Sequence, residues 1–248
     1  MTGNEIYKLN EETSMRFGLC TYESKNNDIV FNMAQIEKAM KESAGKVDCV
    51  IFGEAFLQGF DSLSWNVEAD RKTAISTDSA EFNKLKELTI MYKSAIIFGY
   101  IESAGDDIYS SCAVIDNGEL LHNYRRISVG WKELNVDKHY KEGMETTEFK
   151  LRGELLNIAL CGDMWDYPEK FKTDGILIWP VYCNYEVEDW KTEEVEYALQ
   201  SKLAANKAFL VNPMSKNPDS HGGAFYFKDG KIKDKASYDE ETVLIVEI

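Results

Sequence analysis

The chain has 248 residues, 44% of them hydrophobic and 29% charged, and its 28 basic and 43 acidic side chains give a formal charge of −15 at pH 7. This composition is typical of a water-soluble globular protein, and we expect residues 1–248 to form a single domain. The negative charge repels phosphate backbones and anionic lipid surfaces, so we expect neither a nucleic-acid nor a membrane partner.

The first part of the chain alternates between predicted strands and predicted helices. Apolar runs at residues 16–22, 47–52 and 95–102 predict strands. Apolar residues recur at helical spacing between these runs, namely Phe31, Met33, Ile36 and Met40 in the first interval and Phe82, Leu85 and Leu88 in the second. Two such repeats predict an α/β sheet.

The remainder of the chain adds antiparallel strands to this pattern. Residues 108–115, the turn Asp116-Asn117-Gly118 and the following apolar segment predict a hairpin, so the sheet should be mixed. Val195, Leu199 and Leu203 mark a helix near the C-terminus. Further strands are predicted at residues 155–160, 175–180, 208–212, 223–227 and 242–247.

Cysteine and histidine usage argues against disulfides and metals. The five cysteines are widely spaced, which favours reduced thiols, and none of the three histidines has the spacing of a catalytic metal site. We therefore expect no metal and no cofactor. The polar, acidic N-terminus lacks the basic start and apolar stretch of a secretory signal, so we expect a cytoplasmic location.

Two potentially reactive side chains follow predicted strands directly. Glu54 follows the strand at 47–52, and Cys161 follows the strand at 155–160. Ligands of open α/β sheets bind at the carboxyl ends of strands, and a carboxylate next to a thiol can remove its proton to generate a nucleophile for acyl transfer. Considered singly, each is more commonly a packing or surface residue.

Three segments together resemble the motif regions of the carbon–nitrogen hydrolase family, in the family's order. They are GEAFLQGF around Glu54, NYRRISVGWKE at residues 123–133, and CGDMWDYPE from Cys161. The resemblance implies a four-layer αββα sandwich with mixed sheets, in which a Glu, a Lys and a Cys cleave an amide or nitrile through a thioester. It also implies a homodimer or a larger homo-oligomer.

The position that resembles the family's lysine is occupied by Arg126, a planar cation that could still stabilise an oxyanion. Lys132, six residues further on, is a weaker candidate for that role. The family's second glutamate has no clear counterpart, although Glu133 or Asp137 could fill its place. Asp163 resembles a structural residue that fixes the turn after the nucleophile.

Two hypotheses follow from the residues and the resemblance. The first is a cofactor-free hydrolase of a small nonpeptide amide or nitrile, with Glu54 as base, Cys161 as nucleophile, and Arg126 and the Gly162 N–H stabilising the oxyanion. The second is a catalytically impaired protein of the same fold that binds a ligand or a partner protein.

Overall fold

The computed structural model describes residues 14–248. The first 13 residues, which include most of the polar N-terminal segment considered above, lie outside this range. The described residues contain the helices α1 (Ile29–Glu42), α2 (Val67–Thr73), α3 (Ala80–Tyr92), α4 (Asp163–Asp166) and α5 (Val187–Ser201). Side chains start two of the predicted helices, because Asp28 accepts from Phe31 N–H at the start of α1 and Ser79 accepts from Phe82 N–H at the start of α3.

The strands form two six-stranded sheets. The first sheet has the order β12-β1-β2-β3-β4-β5 and the second the order β11-β10-β9-β8-β7-β6. The strands are β1 (Arg16–Cys20), β2 (Cys49–Ile51), β3 (Ala95–Ala104), β4 (Asp107–Asp116), β5 (Glu119–Arg125), β6 (Phe149–Leu151), β7 (Glu154–Ile158), β8 (Ile176–Pro180), β9 (Lys207–Lys216), β10 (Asp219–Lys228), β11 (Lys231–Lys235) and β12 (Val243–Glu247).

Both sheets are mixed, as predicted. In the first sheet β1, β2 and β3 are parallel, and in the second sheet β7, β8 and β9 are parallel, while the other neighbours pair antiparallel. Parallel strands end at the same edge of a sheet, so the segments that follow β2 and β7 each begin at such an edge.

Buried side chains divide the molecule into four layers. Phe17 of the first sheet packs on Phe209 of the second with ring centroids 5.1 Å apart, so the two sheets face each other. Helices α1 and α3 cover the other face of the first sheet. Helix α5 covers the second sheet, where Trp190 lies 5.5 Å from Phe225 between ring centroids. The predicted four-layer αββα sandwich is confirmed.

Helix α5 has the predicted location, but a different face is buried. Val195, Leu199 and Leu203, the residues that marked it in the sequence, are 50%, 61% and 53% exposed. Trp190 and Tyr197 fill the contact with the sheet instead. Leu203 lies just past the end of α5 at Ser201, and we call the exposed residues Val195, Leu199 and Leu203 the α5 stripe. No helix within residues 14–248 combines the length and apolar content needed to cross a bilayer.

Candidate active site

The ends of β2 and β7 are tied to the same point of the second sheet. Glu54 N–H donates to the Val181 carbonyl at 3.2 Å, and Cys161 N–H donates to the neighbouring Pro180 carbonyl at 2.9 Å. Glu54 belongs to the first sheet's edge and Cys161 to the second's. The structure therefore places the two predicted reactive residues at one location between the sheets.

The backbone at Cys161 adopts an unusual conformation. Its φ angle is +41°, a region that residues other than glycine rarely occupy. The indole Nε1 of Trp179 donates to the Cys161 carbonyl at 2.9 Å and helps to hold this turn. Cys161 is the one partly exposed cysteine, whereas Cys20, Cys49, Cys112 and Cys183 are buried. Strained residues of this kind concentrate at functional sites.

Glu54 and Arg126 form a buried ion pair. Their exposed fractions are 1% and 3%, and Arg126 Nη1 donates to Glu54 Oε1 at 2.8 Å. Ser110 Oγ donates to the same carboxylate oxygen at 3.2 Å. The other oxygen, Oε2, is buried and has no hydrogen-bond partner among residues 14–248. One oxygen is thus held in place and the other remains able to accept a proton.

Gly99 in β3 makes room for the Glu54 turn. A Cβ atom on Gly99 would lie 2.6 Å from the Cα of Glu54 and 2.5 Å from the backbone nitrogen of Ala55. Gly99 N–H also donates to the Gly53 carbonyl at 3.1 Å. The segment after β2 can therefore cross directly against β3, which sends the Glu54 side chain into the interior.

The environment of Arg126 is strongly acidic. Burial opposes the charged guanidinium, but the charges of Glu54, Cys161 and Asp163 outweigh this effect and raise the pKa of Arg126. Its Nε donates to Ser128 Oγ at 2.7 Å, which fixes a second edge of the guanidinium. The site therefore holds a permanent cation beside the base and nucleophile candidates.

Asp163 connects the arginine segment to the cysteine turn. Its Oδ1 accepts hydrogen bonds from Ile127 N–H at 3.1 Å and Ser128 N–H at 2.8 Å. Its Oδ2 accepts from Leu160 N–H at 2.8 Å and from the Tyr124 hydroxyl at 2.6 Å. As expected from the sequence, this buried carboxylate fixes the backbone on both sides of the site.

Gly162 lies against the arginine. A Cβ atom placed on Gly162 would stand 2.5 Å from Arg126 Nη2. The Gly162 N–H donates to no other residue in the described part of the chain. A free backbone N–H next to a nucleophile is the usual arrangement for binding an oxyanion.

The other predicted candidates lie outside this set of contacts. Lys132 pairs with Glu142 at 2.5 Å and donates to the Tyr140 carbonyl at 2.8 Å, so Arg126 is the cation that contacts Glu54. Glu133 is exposed. Asp137 is also exposed and hydrogen-bonds to His139. The role of a second carboxylate stays a prediction for Glu133 and Asp137.

The sequence did not reveal several residues that surround the site. Ser110 and Ser128 hold Glu54 and Arg126, yet isolated serines carry no motif. Cys183 is buried with its Sγ 3.1 Å from the Tyr197 hydroxyl, and its interaction with nearby Cys161, together with burial, raises the pKa of Cys183 well above its ordinary value. A second, protonated thiol therefore adjoins the nucleophile candidate.

Comparison with curated proteins finds two distant relatives. The chain is 25% identical over 120 residues to a glutamine-dependent NAD(+) synthetase of Thermotoga maritima, covering 48% of this chain and 20% of that protein. It is 26% identical over 211 residues to an arylacetone-specific nitrilase of Alcaligenes faecalis, covering 76% of this chain and 56% of that protein. The matched part of the chain thus spans 20% and 56% of the length of these relatives.

Solved structures show the same fold. A CN-hydrolase superfamily protein of Xanthomonas campestris superposes with a TM-score of 0.77 at 16% identity, covering 95% of this chain and 90% of that one. A variant of an amidase from Nesterenkonia AN1, of the nitrilase superfamily, gives 0.79 at 13% identity, covering 96% and 92%. The family model described as carbon–nitrogen hydrolase matches residues 16–248. The chain therefore belongs to the carbon–nitrogen hydrolase family.

Proposed function

We propose that this protein hydrolyses a small-molecule, nonpeptide amide through a thioester on Cys161. The observation that carries the proposal is the buried contact of Glu54 with Arg126, whose guanidinium lies directly against the residue that follows Cys161. A carboxylate, a cation, a thiol and a free N–H at one point are the groups that acyl transfer needs.

In the first step the thiol adds to the amide carbon. Glu54 Oε2 takes the proton of Cys161 Sγ as the sulfur bonds to the carbonyl carbon, and the carbonyl oxygen becomes an oxyanion. Arg126 Nη2 and the Gly162 N–H donate to that oxygen. When the oxyanion collapses, the carbon–nitrogen bond breaks, and the nitrogen leaves as ammonia or an amine with the proton that Glu54 held.

In the second step water hydrolyses the thioester. Glu54 accepts a proton from the water as its oxygen adds to the thioester carbon, and the same donors stabilise the second oxyanion. The carbon–sulfur bond then breaks and the proton returns to Cys161. The products are a carboxylic acid and the restored thiol, so neither a redox change nor a cofactor enters the balance.

The proposal is tested by measuring the release of ammonia from a panel of small aliphatic and aromatic amides. Nitriles with the same carbon skeletons form a second class of substrates. We expect turnover of at least one amide by the wild type and none by Cys161→Ala. Intact-mass measurement should find an acyl adduct on Cys161 in the wild type during turnover. Turnover that persists in Cys161→Ala would exclude Cys161 as the nucleophile.

One observation favours the alternative of an impaired enzyme that binds a ligand or partner. Glu54 forms no hydrogen bond with the Cys161 thiol in the described residues, and its Oε1 is already bound by Arg126 and Ser110. If no amide or nitrile in the panel is hydrolysed and no adduct forms, this alternative replaces the hydrolase.

We further propose a cytoplasmic location and a homodimeric assembly. All five cysteines are free, which suits a reducing compartment. The α5 stripe presents three large apolar side chains at helical spacing on the surface, which suits contact with a second copy of the chain.

A further inference from the structure

The backbone conformation at residue 162 does not itself require glycine. Its φ and ψ angles are −62° and −15°, a helical conformation open to every residue. What restricts the position is space, because a Cβ atom there would stand 2.5 Å from Arg126 Nη2 and 3.3 Å from Ser128 Oγ. A methyl group at residue 162 and the guanidinium cannot occupy these positions together.

Arg126 cannot easily retreat from such a methyl group. Its Nε is bound to Ser128 Oγ and its Nη1 to Glu54 Oε1, at 2.7 and 2.8 Å, and the side chain is 3% exposed. Any rotation that moves Nη2 away from Gly162 breaks one of these two charged hydrogen bonds in a buried environment, which is costly.

The two bound edges leave one edge of the guanidinium available. Nη2 donates to no residue in the described part of the chain and faces the turn that carries Cys161. The Gly162 N–H on the same turn is also free. These two donors can converge on one oxygen atom only while the guanidinium stays in contact with the Gly162 backbone.

We propose that Gly162 is a positioning residue that adapts this site to arginine. Its missing side chain provides the space through which Arg126 brings Nη2 to the oxyanion, while Ser128 and Glu54 hold the other two edges. This inference rests on the proposed function and deepens it. It assigns the stabilisation of the oxyanion to the Arg126 guanidinium, for which the absence of a side chain at Gly162 leaves enough space.

Lysine does not meet these requirements here. It has one nitrogen at the end of a flexible chain, whereas Arg126 uses three nitrogens in a rigid plane. In Arg126→Lys the ammonium can satisfy Glu54, but it leaves Ser128 unpaired and a space next to Gly162. An added methyl group at residue 162 would meet no guanidinium in that variant.

The test compares Gly162→Ala in two backgrounds and includes a matched control. On an amide that the wild type hydrolyses, Gly162→Ala should lower kcat by about 100-fold with little change in KM, the loss expected for one oxyanion donor. In the Arg126→Lys background the same substitution should lower kcat further by less than about threefold. Gly130→Ala is the control, because its Cβ would lie 3.4 Å from the same nitrogen, an ordinary contact.

Chemical rescue separates positioning from a general structural effect. Millimolar guanidinium chloride, with methylammonium chloride as comparison, should restore activity to Arg126→Ala but not to Arg126→Ala/Gly162→Ala, because the methyl group fills the guanidinium's place. Equal rescue of both variants, or equal cost of Gly162→Ala in both backgrounds, would overturn the proposal.

The size match can also be measured without turnover. The same double-mutant cycle followed by urea unfolding should show Gly162→Ala destabilising the wild type more than it destabilises Arg126→Lys. If the wild type hydrolyses no substrate, the proposed function fails. If the unfolding cycle shows no coupling, the pairing of Gly162 with Arg126 fails independently of activity.

Discussion

Four of the five thiols in the chain are buried, and burial raises the pKa of Cys20, Cys49 and Cys112. Preferential alkylation of Cys161 therefore follows from accessibility alone and does not demonstrate an activated nucleophile. The informative quantities are the pH dependence of the alkylation rate and its dependence on Glu54.

We predict that iodoacetamide alkylates Cys161 in the native protein below pH ~8, under the ordinary thiol pKa of about 8.5, and faster than it alkylates glutathione. The rate in Glu54→Gln should fall at least about tenfold at pH 7, because the amide cannot accept the thiol proton. Mass spectrometry of tryptic peptides measures both rates. Identical rates in the two proteins would contradict the assignment of Glu54 as base.

The matched control for this experiment is Glu142→Gln, which neutralises a carboxylate that pairs with Lys132 rather than with Arg126. It removes the same charge as Glu54→Gln without touching the ion pair at the site. Its alkylation rate should equal that of the wild type, and a similar fall in both variants would indicate a general electrostatic effect.

The hydrogen bonds of Asp163 lead to a second prediction, which concerns the stability of the fold. In Asp163→Asn, one oxygen becomes an NH₂ group that faces N–H or O–H donors, so at least one buried donor loses its acceptor. We expect the free energy of unfolding to fall by about 3 kcal/mol. Tyr124→Phe, which removes a single donor from the same carboxylate, should cost about 1 kcal/mol in the same urea titration.

Residue-scale prediction from the sequence succeeded where a residue follows a strand and failed where partners are distant. Glu54 and Cys161 could be placed at strand ends because the preceding apolar runs are unambiguous. The contacts of Arg126 with Glu54 and Gly162 join residues far apart in the chain, and no local pattern reports such a contact. Ser110 and Ser128 act through single hydrogen bonds, which leave no periodic signal.

At the scale of elements, α5 shows what an apolar pattern can and cannot determine. Its 3.6-residue spacing correctly indicated a helix, yet the α5 stripe faces outward. The sheet is covered by Trp190 and Tyr197, with Glu194 held by Lys235 of β11 at 2.8 Å. Aromatic residues bury more area than the leucines, so they decide which face packs. Helix α2 and strands β6 and β11 are too short or too polar for the pattern to reveal.

The outward α5 stripe leads to a prediction about assembly. We expect the wild type to sediment as a dimer and Leu199→Glu to sediment as a monomer, because a carboxylate in an apolar interface is strongly unfavourable. Met144→Glu adds the same charge at a residue that is 93% exposed and should remain dimeric. A monomeric wild type in sedimentation equilibrium would contradict the homodimer.

At the scale of the whole molecule, the buried thiols govern stability in alkaline solution. In the folded state burial keeps Cys20, Cys49 and Cys112 protonated above the ordinary thiol pKa, whereas the unfolded chain releases these protons. Since the folded pKa is raised, the stabilisation is complete below the ordinary thiol pKa of about 8.5 and is lost as pH rises further.

The free energy of unfolding should accordingly fall by about 1.4 kcal/mol per pH unit for each such thiol above that pH. Urea titrations between pH 8 and 10 measure the slope, and Cys20→Ala/Cys112→Ala should show a shallower one than the wild type. Parallel slopes in the two proteins would show that these thiols do not govern the alkaline transition.

The alternation of strands and helices could be predicted because both sheets obey the same local rules. The strands of the parallel cores are mostly apolar, and α1 and α3 carry clear apolar stripes, so each unit was visible by itself. Which sheet faces which, and the antiparallel return of β12 onto β1, depend on contacts between the two ends of the chain. The facing of the sheets was therefore predicted only from the resemblance to a family, and the pairing of β12 with β1 was not predicted.

The adjacent carbonyls of Pro180 and Val181 have a consequence for motion. Cys161 N–H is bound to the first carbonyl and Glu54 N–H to the second. The nucleophile and base candidates are therefore attached to the end of a single strand, β8, although they follow strands of different sheets. We expect these two hydrogen bonds to keep Glu54 and Cys161 close together when one sheet shifts slightly against the other, so that a small shift changes access to the site more than it changes the path of the proton.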